Sequence, residues 1–208
     1  MTLKQMKELA KGKIKGKIGI LFLIMLVNGL IVSLASAIPV VGSLVGAFVI
    51  APAFSLAIIN IYLNLAANDA YAPELGDLFN HMKEFWLAFK VTFFTGLFTA
   101  LWSLLFYIPG IIKALSYSQA MYIAAENPEI GALEAINRSK AMMEGHKMEL
   151  FKLMLSFIGW IILGMFTFGI LYIWLMPYMN TTMALFYKNL TAGQAPEAAE
   201  APSEANAF

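Results

Sequence analysis

Polar residues thin out over long stretches of this chain and return in short clusters. Six stretches read as membrane-spanning helices, for which about 20 mostly apolar residues are needed: residues 18–38, 43–66, 85–107, 111–125, 150–166 and 170–187. The breaks between them fall at Pro39 and Gly42, at the polar run 67–84, at Pro109 and Gly110, at the run 126–149, and at Thr167 to Gly169. The last break is short, so one bent helix is the rival to two spans there. The pattern predicts an all-α transmembrane bundle of six helices arranged as three hairpins.

Two further stretches alternate with helical period but carry charge. Residues 1–17 open with Thr2 and Gln5 at the spacing of a capping box. Leu3, Met6, Leu9, Ala10 and Ile14 then recur at helical intervals among the lysines. This predicts a basic amphipathic helix on the inner leaflet, where Lys4, Lys7, Lys11, Lys13, Lys15 and Lys17 meet anionic lipid. Residues 127–145 predict a second interfacial helix, with Asn127 as cap, Pro128 at the first helical position and Ala132, Leu133, Ala135, Ile136, Met142 and Met143 on one face. Residues 191–208 are rich in Ala, Glu and Pro and predict a disordered acidic tail.

Composition agrees with the pattern. Apolar residues make up 60% of the 208 positions and charged ones 13%, against roughly 45–50% and 25% in a soluble domain. Mean hydropathy is +0.73. Too few charged residues exist to cover the outside of a soluble fold. The basic start followed by an apolar run and Ala35-Ser36-Ala37 resembles a signal peptide, but the run is longer than the usual apolar core of about 7–15 residues. A retained first helix is the expectation. There are fourteen Lys and Arg. Placing both termini in the cytoplasm puts all of them except Lys113 on the inner side, as membrane proteins favour. This predicts a multi-pass protein of the bacterial plasma membrane, N-in and C-in.

Chemistry-bearing residues are sparse. Lys113 is an ionisable residue at membrane depth, with Ser116 and Tyr117 on its face. It either belongs to a polar site or snorkels to the outer surface. Asn60, Asn64, Gln119 and Asn180 are amides within apolar helices, either ligand contacts or ties between helices. These seven form the candidate intramembrane polar site. Pro52, Pro109 and Pro177 predict helix breaks. Ser139, Glu144 and His146 lack an oxyanion elbow. Glu74, Asp77 and His81 match no metal-ligand spacing. The chain has no cysteine and no phosphate loop. No enzyme activity, metal, cofactor or nucleic-acid partner is expected.

Certain runs are recognisable. Residues 102–112 (WSLLFYIPGII) with Tyr117-Ser118, then Glu126-Asn127-Pro128, Ala135-Ile136, Ser139, Met142-Met143 and Gly145-His146-Lys147, resemble a bacterial membrane protein family known as DUF975. Ser156 to Trp160, Pro177-Tyr178 and Phe186-Tyr187 continue the likeness, which covers about residues 85–190. That family is also similar to the membrane domain of some glycerophosphodiester phosphodiesterases. The resemblance implies a polytopic membrane protein and brings no catalytic residue with it. Two functions stay open: binding or moving a lipid or amphipathic small molecule, and a non-transporting scaffold or immunity-type factor acting through a protein partner or as a homo-oligomer.

Overall fold

A computed structural model describes residues 1–36, 50–105, 107–167 and 169–198. Every regular element among the described residues is helical. In chain order these are α1 (Leu3–Ile14), α2 (Ile18–Ser36), α3 (Ala51–Ala67), α4 (Phe85–Leu105), α5 (Tyr107–Tyr117), α6 (Ala120–Glu126), α7 (Ala132–Met142), α8 (Lys147–Phe166) and α9 (Tyr172–Ala198). Two short 3₁₀ turns, Leu75–Leu78 and Met82–Glu84, lead into α4. The expected start of the second span, 43–49, lies outside the described residues.

Among the described residues, two stretches, Leu75–Leu104 and Lys147–Phe166, are long and apolar enough to cross a membrane, or three if α1 and α2 are counted as one span bent by 90°. Their outward side chains are apolar: Leu26 and Leu30 on α2, Leu97 and Leu101 on α4, Leu155 and Ile162 on α8 are all exposed. A continuous apolar exterior of this kind is compatible with lipid rather than water around it.

α4 and α5 form a tight antiparallel hairpin. The Phe98 and Tyr117 rings meet tilted, 6.2 Å apart, Trp102 lies under Lys113, and Gly110 sits against Ser103. A Cβ on Gly110 would stand 2.8 Å from the Ser103 Cα, so only glycine allows the approach. α8 and α9 fold back in the same way. Tyr172 covers Gly164 and donates its hydroxyl to the Ile161 carbonyl at 2.9 Å. Trp160 meets Trp174, and Phe157 meets Tyr178. The turn between them places Gly169 at φ 86°, a conformation natural to glycine. These are two antiparallel helices, not one bent helix.

The structure corrects several expectations. The stretch 111–125 is not one helix. It breaks at Ser118 and Gln119, where the Ser118 hydroxyl takes the Leu115 carbonyl that a continuing helix would use. Asn127 does not cap a following helix. Its amide closes α6 on the Ile123 carbonyl, and α7 begins only at Ala132. Of the three expected helix breaks, the one at Pro177 does not occur, while residues 37–49, ahead of α3 and Pro52, lie outside the described ones. Pro52 and Pro109 are the second and third residues of α3 and α5, where free N–H groups are normal, and α9 runs unbroken through Pro177. α9 ends at Ala198, within the stretch expected to be a disordered tail, and residues 199–208 of that tail lie outside the described ones.

α1 does form, with both capping-box bonds between Thr2 and Gln5. Its apolar face does not lie on a leaflet. Met6, Ala10 and Ile14 are buried at 0–1% exposure, packed against α9. Three of its lysines also turn to protein. Lys7 lies 4.5 Å from the Phe157 ring, Lys13 pairs with Asp69 at 2.7 Å, and Lys17 donates to the Asp69 carbonyl. Lys4, Lys11 and Lys15 remain exposed. The apolar face of α7 is likewise covered by α4 and α6 rather than by a membrane surface.

Two outcomes follow from these contacts. Gly110→Ala is expected to lower stability by about 1–3 kcal/mol through overpacking, while Gly159→Ala, which meets nothing within 4 Å, is tolerated. Thermal unfolding in detergent compares the two. The Lys13 hydrogen bond holds the Asp69 carboxyl below its ordinary range, with the same ammonium's charge adding to the effect. The unfolded chain then binds the proton more readily, so the contribution is present at neutral pH and is lost as pH falls through the lowered value. Asp69→Asn should therefore shift the unfolding midpoint at pH 7 and lose that difference as pH drops below about 4.

Candidate functional site

The second half of α4 carries a pattern the apolar reading hides. Thr92, Thr95, Thr99 and Ser103 recur three and four residues apart, which sets them on one helical face. That face is opposed by Ser55 on α3 and by Tyr117 and Ser118 where α5 ends. Together they line a cleft of 640 Å³. The lining set contains no Asp, Glu, Lys or Arg.

Three of the seven lining hydroxyls among the described residues have committed protons. Thr95 donates to the Val91 carbonyl at 2.7 Å, Ser55 to Pro52 at 2.8 Å, and Ser118 to Leu115 at 2.8 Å. Hydroxyls bonded back to their own helix in this way keep oxygen lone pairs free. The Thr92, Thr99, Ser103 and Tyr117 hydroxyls donate to no described residue, so the cleft offers a ligand both donors and acceptors.

A second cleft, of 520 Å³, lies between α5, α8 and α9. Its walls are apolar, with Phe151, Met154, Ile158, Met179 and Met183 among them. Methionine is adaptable and fits irregular apolar ligands. Ala114 and Ser118 line both clefts. α5 is thus a wall with hydroxyls on one side and hydrocarbon on the other. Both volumes fall within the range of about 300–1,000 Å³ usual for ligand pockets.

The seven residues of the expected polar site do not meet in one place. Tyr117 lines the hydroxyl cleft. Ser116 and Gln119 are buried behind it, in a network with Ser139. The Ser139 hydroxyl donates to the Ser116 carbonyl at 2.7 Å and accepts the Gln119 N–H at 3.2 Å. The Gln119 amide donates to Ser118 at 2.9 Å, while its Oε1 is buried without a partner. Lys113 holds its ammonium 4.7 Å from the Trp102 ring centroid. Asn60 ties α3 to the Ala125 carbonyl, Asn180 bonds within its own helix, and Asn64 is exposed.

Other groupings come apart. Ser139 is buried in its network, whereas His146 pairs with Glu149 at 3.1 Å, so the two do not act together. Asp77 accepts from the Tyr71 hydroxyl and the Glu74 N–H, a use that shapes the loop before α4. A tie unforeseen in the sequence joins α6 to α9, with Glu126 accepting from Tyr187 at 2.8 Å and pairing with Lys188.

The C-terminal part of this arrangement has relatives. Residues 104–194 match the family model for DUF975, a protein of unknown function. The family expected from the sequence therefore holds over this segment. The DUF975 segment supplies α5 to α9 and so the whole of the apolar cleft. The hydroxyl face of α4 lies ahead of it. No curated protein and no solved structure matches the chain, and no likeness to glycerophosphodiester phosphodiesterases is found.

Ser139→Ala leaves the buried Gln119 N–H and the Ser116 carbonyl without their shared partner. A loss of about 1–3 kcal/mol is expected, read as a lower unfolding midpoint in detergent. An unchanged midpoint would mean that α7 is held by its apolar face alone.

Proposed function

We propose that this chain is an integral membrane protein that binds or moves a lipid or another amphipathic small molecule. The observation that carries the reading is the adjoining pair of clefts across Ala114 and Ser118. An amphipath has the same two-part chemistry, and α5 presents both parts within one helix width. The openness of the α4 face to its surroundings, with Thr92 and Ser103 exposed, gives a ligand a way in from the bilayer.

The topology that suits this reading has six membrane-embedded helices in three hairpins, with both termini in the cytoplasm of a bacterial cell. Its support is the charge pattern, in which only Lys113 falls on the far side. The antiparallel α4–α5 and α8–α9 pairs accord with it, since a hairpin returns the chain to its starting face. Exposed Lys4, Lys11 and Lys15 would then face anionic inner-leaflet lipid.

Native mass spectrometry of the full chain, released from mild detergent, tests the function. One defined amphipath at fixed stoichiometry is the expected result. Only unselective bulk lipid would transfer the weight to a scaffold acting through a protein partner. For the topology, Gly169→Cys is expected to react with an impermeant maleimide from outside intact cells and Glu134→Cys is not. Labelling of Glu134→Cys would reject the orientation without touching the ligand reading.

A further inference from the structure

The hydroxyl cleft has an electrostatic pattern of its own, whatever the apolar cleft holds. We infer that it binds a singly charged anion, either a halide or oxyanion from solution or the phosphodiester of an anionic lipid head.

The donors are in place. Of the seven lining hydroxyls, those of Thr92, Thr99, Ser103 and Tyr117 donate to no described residue. Tyr117 stands out among them. Its ring packs against Phe98 and the residue is only 6% exposed, yet its hydroxyl has no partner among the described residues and lines the cleft. A buried phenol ordinarily finds a partner, and an anion would supply one. Hydroxyls also accept hydrogen bonds, so the donors alone do not select the ligand.

Charge selects it. No carboxylate lines the cleft, and two ammonium groups flank it. Lys113 lies 4.7 Å from the ring of Trp102, the neighbour of the lining Ser103. Lys140 reaches from α7 to within 5.7 Å of the Tyr117 ring itself. Neither pairs with a carboxylate among the described residues. Lys140 has only the Asn137 side-chain oxygen and that ring. Such charges act over longer distances in an apolar surrounding than in water. They repel a cationic ligand and attract an anion, while a neutral ligand leaves both uncompensated. Neither ammonium lines the cleft, so the hydroxyls hold the anion and the cations act from one residue away. That arrangement offsets the desolvation of one negative charge better than of two. The Lys140 charge beside Tyr117 also favours negative charge at the phenol oxygen, which strengthens that donor.

The test uses the full chain in phosphatidylcholine nanodiscs, a lipid whose choline cation the two lysines disfavour. Chloride is the probe, at constant sodium with gluconate making up the balance, and broadening of the chloride NMR line reports binding. Saturable broadening is expected, displaced by bromide and nitrate and much less by sulfate. Tyr117→Phe keeps the ring and removes the donor, and Thr99→Val keeps the shape of its side chain. Each, checked for an unaltered unfolding midpoint without chloride, is expected to weaken chloride about tenfold. Lys113→Met is expected to weaken it roughly threefold through the lost field. Nanodiscs that contain phosphatidylglycerol separate the two sources. Loss of the chloride signal there assigns the cleft to a lipid phosphodiester, and an undiminished signal assigns it to a free ion. No saturable broadening in phosphatidylcholine overturns the inference, as does broadening that neither Tyr117→Phe nor Thr99→Val reduces. Sulfate displacing chloride as well as bromide does overturns the single charge. The amphipath reading stands or falls separately, on the mass of the ligand that the chain retains.

Discussion

The enclosure of α9 is the constraint on which the other helices depend. Ala184, Leu185, Phe186 and Tyr187 are four successive residues, and all are buried. Four neighbours in sequence point in every direction around a helix, so this stretch is covered on all sides. α1, α2, α3, α7 and α8 all reach it. Thr181 and Thr182 are buried with them, and Thr182 satisfies its hydroxyl on the Tyr178 carbonyl. Apolar residues gain little by moving from lipid into protein, so association in a bilayer rests on close fit and on polar ties. The bonds from Glu126 to Tyr187 and Lys188 are ties of that kind, and they fix α6 against the enclosed helix.

The hairpins show a different economy. Where α4 meets α5 and α8 meets α9, the turns are closed by single contacts: Gly110 beneath Ser103, and Tyr172 across Gly164. Each contact uses a missing side chain to bring backbones together. The Tyr172 hydroxyl reaches a carbonyl of the partner helix, so the aromatic ring acts as a spacer and a clasp together. The arms then extend outward with exposed apolar sides, while the enclosed half of α9 anchors them.

Helix positions were legible because apolar runs and polar breaks mark them directly. The capping box at Thr2 and Gln5, the i,i+4 pair of Glu134 and Arg138, and the DUF975 runs were legible for the same reason, since each is local. What could not be read were partners. The apolar stripe of α1 looks the same whether it meets lipid or α9. Asn127 suits the start of one helix and the end of another, and only the preceding Ile123 carbonyl decides which. Lys13 and Lys17 joined a membrane-facing set by composition, yet Asp69 claims both. The hydroxyl face of α4 did leave a signal, in the spacing of Thr92, Thr95, Thr99 and Ser103. Hydroxyls can satisfy themselves on their own helix, so such a face does not stand out within an apolar stretch.

The docking of α1 against α9 sets an order of assembly. α1 is synthesised well before α9, the helix it packs against. At about 5–20 residues per second, the first helix waits on the order of ten seconds before its place exists. Over that interval Met6, Ala10 and Ile14 lack the cover that α9 gives them. An early segment is thus packed only when a late one arrives.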